Sequence, residues 1–335
     1  MTYSSNVTES SFGDGTLGAL QQTYHEQRAQ DRLLSNLVFY NACDKKRLPK
    51  NAGQIMQFYR YVQISGTGDL TTALSEDAIS SNSASLSATT ATVTVAPYGA
   101  HVVLSRFAVD TTRSGQLIED AVDVLTDTAS EIVDTLVRTN LQTNASALYG
   151  TDGGDTSATI TTADVLSEVT CRAAVKHLRN MKVRPFNEGQ MFLGIISPKQ
   201  VYDLQSSTSA GSWAAAASYS DPQKIWTGQI ASMHGVRLLM SQNLNTSFAS
   251  SLLTSSVTAN ACDSFFIGAG AVAAVSLEDN PIQVIRKTGD SNSTYDAYNN
   301  RASVAVKLPG FGVCWTGTDG ASQKRALRIV TATSA

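Results

Sequence analysis

Residues 114–150 read SGQLIEDAVDVLTDTASEIVDTLVRTNLQTNASALYG. Leu117, Ile118, Ala121, Val122, Leu125, Ala129, Ile132, Val133, Leu136, Val137 and Leu141 recur at three- and four-residue steps without a break, the pattern of one apolar stripe on an α-helix. Ser114 suits the N-cap, and Gly150 suits a left-handed position at the far end. Glu119, Asp120 and Asp123 occupy the first turns, where the helix dipole favours negative charge. The spacing predicts a helix over 114–149, roughly 50 Å long at 1.5 Å per residue. Asp127, Glu131 and Asp134 extend an acidic face that most simply meets solvent. A helix of this length is uncommon in a compact domain, so it is expected to act as a spine.

Upstream, QIMQFYRYVQI (Gln54–Ile64) alternates with period two. Met56, Phe58, Arg60, Val62 and Ile64 share one face; Ile55, Gln57, Tyr59 and Tyr61 share the other, which predicts a strand. A second such run spans Ala91–Phe107, with Pro97 and Gly99 predicting a bulge or a sheet edge. The stretch between them is rich in Ser, Thr, Ala and Gly and carries Asp69, Glu76 and Asp77. Together these runs predict a long two-stranded flap with a polar tip. Such a hairpin is marginal alone in water and needs another surface to lie on. The first fifty residues are polar, with a helical patch over Ala19–Leu37 and a basic knot of Lys45, Lys46, Arg47 and Lys50 around Pro49. They read as an arm.

Downstream, a helix is predicted over Thr162–Met181, burying Val165, Leu166, Val169, Ala173 and Leu178. Its basic end (Arg172, Lys176, Arg179, Lys182, Arg184) suits the helix C-terminus, or contact with nucleic acid or an acidic neighbour. MFLGII (Met191–Ile196) reads as a buried strand and Pro198–Leu204 as a short helix. GQIASMHGVRLLMSQNL is expected to form a helix that turns at Gly235 into the strand Val236–Met240. Further strands are expected at Ser264–Ile267 and Pro281–Arg286, with closing strands at Ala302–Leu308, Gly312–Thr316 and Arg325–Thr331. The class is α+β.

Composition narrows the function. Of 335 residues only 16% are charged, against ~25% in ordinary soluble domains. Lys and Arg number 25 and Asp and Glu 28, so the net charge is −3, which argues against a polybasic coat that condenses nucleic acid. No apolar run approaches the ~20 residues of a membrane span, and no secretory h-region opens the chain. Cys43, Cys171, Cys262 and Cys314 are scattered and read as small buried hydrophobes in a reducing compartment. Gly268-Ala-Gly270-Ala-Val-Ala273 superficially matches a dinucleotide fingerprint, but no amphipathic helix follows, so a glycine turn between strands is expected. His25, His101, His177 and His234 lie far apart, and neither a phosphate-cradling loop nor a nucleophile elbow is present. No catalytic residue, cofactor or metal is expected.

The order of elements and several segments resemble the major capsid protein of tailed bacteriophages, with its HK97-like fold. KNAGQIMQFYRYVQ, TALSEDA and ATVTVAPYGAHVVLSRFAVD resemble the extended-loop region of one capsid subfamily, and TGQIASMHGVRLLMSQNL resembles its central-domain turn. The resemblance runs from about Lys50 to the C-terminus. It implies an N-terminal arm (1–50), an extended β-hairpin loop (51–110), a peripheral domain with the spine helix (111–190), an axial domain (191–300) and closing strands of the peripheral domain (301–335). It implies a structural protein that self-assembles as pentamers and hexamers into an icosahedral shell around double-stranded DNA. Such a protein resides in the virion after synthesis in the host bacterial cytoplasm. Within the same fold, the alternative is an encapsulin-type compartment shell.

The implied partners are other copies of the chain, a portal, a separate scaffolding protein and a cement protein; packaged DNA would be touched only non-specifically, and no membrane is involved. Lys45, Lys46, Arg47, Arg60, Tyr61 and Arg106 are the candidate subunit-interface residues, and Glu76 and Asp77 the candidate cement-protein contact. Some capsids of this fold lock their shells through a lysine in the extended loop. Here no lysine lies between Lys50 and Lys176, so a non-covalent shell is expected.

Overall fold

The computed structural model describes residues 38–61, 86–111, 117–151, 154–156, 159–186, 191–206, 229–244, 261–277, 283–287, 300–318 and 324–332. Strands β1 (Asp44–Leu48), β2 (Ile55–Tyr61), β3 (Ala88–Thr94) and β4 (Ala96–Ser105) precede a short helix α1 (Arg106–Thr111) and the long helix α2 (Leu117–Asn144). Then come β5 (Ser146–Tyr149), α3 (Glu168–Asn180), β6 (Phe192–Ile196), α4 (Pro198–Ser206), β7 (Gln229–Met233) and β8 (Val236–Met240). The chain closes with β9 (Ala261–Ile267), β10 (Val272–Leu277), β11 (Gln283–Lys287), β12 (Arg301–Trp315) and β13 (Ala326–Ala332). The class is α+β, as expected.

Two large sheets and one free-standing hairpin account for the strands. One sheet runs β1-β10-β12-β11 with β4 also paired to β12; the other runs β5-β13-β9-β6-β8-β7; among the described residues β2 and β3 pair only with each other. Helix α2 joins the sheets. Val122, Leu125 and Ala129 belong to the same buried cluster as Val304, Val306 and Leu308 of β12, and Val137 and Leu141 share that cluster with Ile195, Phe265 and Ile267 of the second sheet. The other face of the second sheet is covered by α3 and α4, through Cys171, Leu178, Val201 and Leu204 against Phe192, Val236, Phe266 and Leu327. Helices on both faces explain why every residue of β9 is buried.

The long helix is shorter than its periodicity suggested. It ends at Asn144, and Ser146–Tyr149, expected as helix, forms β5 in parallel register with β13. The edge of β13 is paired there although only Tyr149 of the four residues favours strands, a tertiary demand that outweighs both propensity and the continuing apolar spacing. Asn144 Nδ2 donates to Asn140 O at 2.9 Å at that end. Gly150 does adopt φ +78, but it follows a strand and its N–H donates to Val330 O. Helix α3 begins at Glu168, not Thr162, because Thr161 N and Oγ1 both donate to Asp164 Oδ2 and Val165 bridges to Ala332. It ends with Lys182 at φ +55, and Val183 N donates back to Leu178 O.

Other expectations change similarly. The helix expected before Gly235 is strand β7. His234 (φ 49) and Gly235 (φ 84) form a two-residue turn into β8, with both central residues at positive φ as a type I′ hairpin requires. Lys45, Lys46 and Arg47 of the basic knot lie in a strand: Asp44–Leu48 runs in parallel register with β10, and Phe39 is fully buried, its ring edge-on to Phe265 at 5.7 Å. The helical patch Ala19–Leu37 lies outside the described residues. The two closing strands at 302–308 and 312–316 are one fifteen-residue strand, β12, whose register shifts between Leu308 and Phe311. The bulge expected near Pro97 therefore sits on the partner strand, while Pro97 lies in a strand that, among the described residues, pairs only with β12. The glycine run that opens at Gly268 forms the turn 268–271 between β9 and β10, with Gly270 at φ +71, and Val272 and Ala273 already lie in β10.

Candidate functional site

The β2–β3 hairpin presents two unlike faces. In antiparallel register, Ile55, Gln57, Tyr59 and Tyr61 stand opposite Thr94, Thr92, Thr90 and Ala88. All eight are exposed. Ile55 is 59% exposed, Tyr59 66% and Tyr61 70%, with Leu86 nearby in sequence at 66%. Tyr59 Oη donates to Gln57 Oε1 at 2.6 Å, and no residue of this face is charged. An uncharged sheet face that keeps large apolar groups in water is the physical mark of a docking surface.

The inner face is held to the body. Met56, Phe58 and Ala91 pack on a buried cluster of Leu48, Val93, Val95, Val275 and Cys314. Two glycines of β12 allow the close approach: a Cβ on Gly312 would lie 2.7 Å from Val93 Cγ2 and 2.9 Å from Thr94 O, and one on Gly310 would lie 2.7 Å from Val95 Cγ1. Cys314 Sγ donates to Thr92 O at 3.3 Å. Beside this contact a cleft of about 540 Å³ opens, lined among others by Asp44, Lys46, Phe58, Arg60 and Asn140.

The structure distributes the six interface candidates over separate places. Lys46 and Arg60 line the cleft, and Tyr61 ends β2 on the outer face. Lys45 stacks over the Tyr40 ring at 4.3 Å and donates to Asn41 Oδ1 at 3.1 Å, and Arg47 is exposed on the same strand. Arg60 gives its guanidinium to carbonyls of its own chain, Gly270 O and Thr316 O. Arg106 stands at the other end of β4, about 30 Å from the hairpin base by strand rise, and pairs with Asp110 at 3.8 Å on the surface. Beside it Phe107 is 79% exposed. Glu76 and Asp77 lie outside the described residues.

A buried polar node ties these parts together. Asp134, expected on a solvated face, is fully buried on α2. Its Oδ1 accepts the Tyr40 backbone N–H at 2.9 Å and its Oδ2 accepts Asn243 Nδ2 at 3.4 Å. Arg138 Nη1 donates to Asn243 O and Oδ1 at 3.0 and 2.8 Å. One turn on, Gln142 Nε2 donates to Asp263 Oδ2 at 2.8 Å, and Arg328 Nε donates to Asp263 Oδ1 at 2.7 Å. Burial pushes both carboxyls up from the usual range, against the pull of these donors. The four cysteines are free and buried, and burial pushes the thiols of Cys43 and Cys171 up to about 12, so they stay protonated. Among the described residues no group of three His, Cys, Asp or Glu is placed to hold a metal ion.

No family model and no curated protein matches the sequence. Solved structures do. The capsid of Ralstonia phage GP4 matches at 17% identity over 94% of this chain and 96% of that chain, with a TM-score of 0.67. The capsid asymmetric unit of cyanophage Pam1 matches at 14% identity over 96% and 98%, with a TM-score of 0.68. The head structure of Helicobacter pylori bacteriophage KHP40 matches at 13% identity over 94% and 96%, with a TM-score of 0.67. The fold is thus that of phage capsid structures, the HK97-like fold.

Proposed function

We propose that this chain is the major capsid protein of a tailed phage, assembling as pentamers and hexamers into the icosahedral head that encloses double-stranded DNA. The observation that carries this reading is coverage. The likeness to the Ralstonia phage capsid spans 94% of this chain and 96% of that one, so it extends over the whole polypeptide and not over a shared module. The uncharged outer face of the β2–β3 hairpin supports it, because that face has no strand partner or helix of its own chain over it among the described residues. So does the net charge of −3, which suits a shell that does not itself gather the genome.

In this reading residues 51–110 are the extended loop that overlaps a neighbouring subunit, with 1–50 as arm, 111–190 and 301–335 as peripheral domain and 191–300 as axial domain. Ile55, Tyr59, Tyr61 and Leu86 form the apolar contact to the neighbour; Lys45, Lys46 and Arg47 form charged contacts beside it, and Arg106 a separate charged contact at the far end of β4. Portal, a separate scaffolding protein and a cement protein at Glu76 and Asp77 complete the partners, and the finished protein resides in the virion.

The test is electron microscopy of the full chain expressed alone and together with the phage scaffold and portal. Closed shells, or rings of five and six, are the expected product. A monomer or dimer under both conditions would overturn the reading, and shells filled with a cargo enzyme in place of DNA would transfer it to a compartment protein.

A further inference from the structure

We infer that Arg60 is a strut that sets the angle of the β2–β3 hairpin against the junction of the two large sheets. The hairpin needs one. Among the described residues β2 has no strand partner except β3, and the cleft of about 540 Å³ separates part of it from the body. On its inward face Met56 and Phe58 make apolar contact near the base, while Arg60 stands farther out, two residues from the end of the strand's apolar contacts. Apolar contact near one end leaves a rigid ribbon free to pivot; a polar contact farther along stops the pivot.

The guanidinium reaches two carbonyls that are themselves fixed. Nη2 donates to Gly270 O at 3.1 Å, and Nη1 donates to Thr316 O. Thr316 Oγ1 also donates to Gly270 O at 3.1 Å, and Thr316 N donates to Ala271 O at 3.0 Å, so the two acceptors are held as a pair. The turn at 268–271 is where β9 of the six-stranded sheet passes into β10 of the five-stranded sheet. It is braced on all sides: Gly268 N donates to Arg325 O at 2.9 Å, Ala269 N to Arg184 O at 3.0 Å, and Arg325 Nη1 to Ala269 O at 3.3 Å. Gly270 holds φ +71, and a Cβ there would lie 3.3 Å from Arg60 Nη2. A planar guanidinium spans two acceptors in fixed geometry, whereas an ammonium offers a point charge. Arg60 thus transmits the position of the sheet junction to the hairpin. Resting on the capsid reading, the hairpin angle then selects where the outer face lands on a neighbouring subunit.

Hydrogen exchange read by mass spectrometry on unassembled full-length subunits tests the strut, with Arg60→Met and Arg60→Lys beside the wild type. The expected result for Arg60→Met is at least tenfold faster exchange in peptides covering 55–61 and 88–94, with 261–267 and 326–332 unchanged. Arg60→Lys, which can keep one of the two bonds, should fall between. Unchanged exchange in the hairpin would overturn the inference, and so would equal acceleration in β9 and β13, which marks general destabilisation. If Arg60→Met fails to fold, the same comparison is made on Arg60→Lys alone. Because the readout needs no particles, a failure to assemble would count against the capsid reading and leave the strut standing.

Discussion

Asp134 lies three residues before Val137 and seven before Leu141, and so shares their buried side of the helix. It is retained there with no exposed surface because it accepts the backbone N–H of Tyr40 and the amide of Asn243, tying the entering chain and the end of β8 to one helix. The charged group facing it is Arg138 on its own helix; Cys43 and Tyr40 of the entering chain lie beside it, and burial holds both in their neutral, protonated forms. Its folded carboxyl takes up a proton more readily than the unfolded one, so its contribution to stability is complete below the ordinary carboxylate value and is lost as pH rises through the raised folded value. Asp134→Asn cannot titrate. Chemical denaturation from pH 7 down to about 4 should therefore show the stability of wild type relative to Asp134→Asn rising as pH falls, and a difference that does not change with pH would contradict this. In the sequence Asp134 looked like one more acid of a solvated face. Its phase on the stripe was legible, but its partner Asn243 lies 109 residues away, and no local pattern announces such a pairing.

At the scale of elements, the helix, the hairpin and most strands were legible because each carries its own period. The inward and outward residues of β2 divide as the alternation of Ile55–Tyr61 implies. The errors fell where a neighbour decided. Residues 146–149 keep helical spacing yet pair with β13, and Gln229–Met233 becomes a strand because His234-Gly235 closes a two-residue turn onto β8. The outer hairpin face carries a direct prediction. Replacing Ile55, Tyr59 and Tyr61 together by Ser removes exposed side chains only, so the unfolding free energy should change by no more than about 0.5 kcal/mol per site. Assembly, read by sedimentation and microscopy, should be abolished. Particles at wild-type yield would show that this face docks nothing.

Across the whole molecule, low charge, α2 lying along both sheets and an uncovered hairpin suit the proposed capsid subunit, whose surface other copies would complete. The absence of lysine between Lys50 and Lys176 denies the loop the amine that a covalent lock would use. Particles boiled in detergent should run as single subunits, and a ladder of linked chains would refute a non-covalent shell. The amino-acid order alone pointed to the class, the long helix and the two faces of β2, since each is written in periodicity or composition within a short window. The run Ala91–Phe107, read as one strand of the flap, instead divides into β3, paired to β2, and β4, paired to β12. The partition of strands between two sheets, the burial of Asp134 and Phe39 and the clasp of Arg60 on Gly270 and Thr316 came from the fold. Those contacts join residues up to 256 positions apart, and such pairings are chosen by the shape of the packed core, which no local window contains.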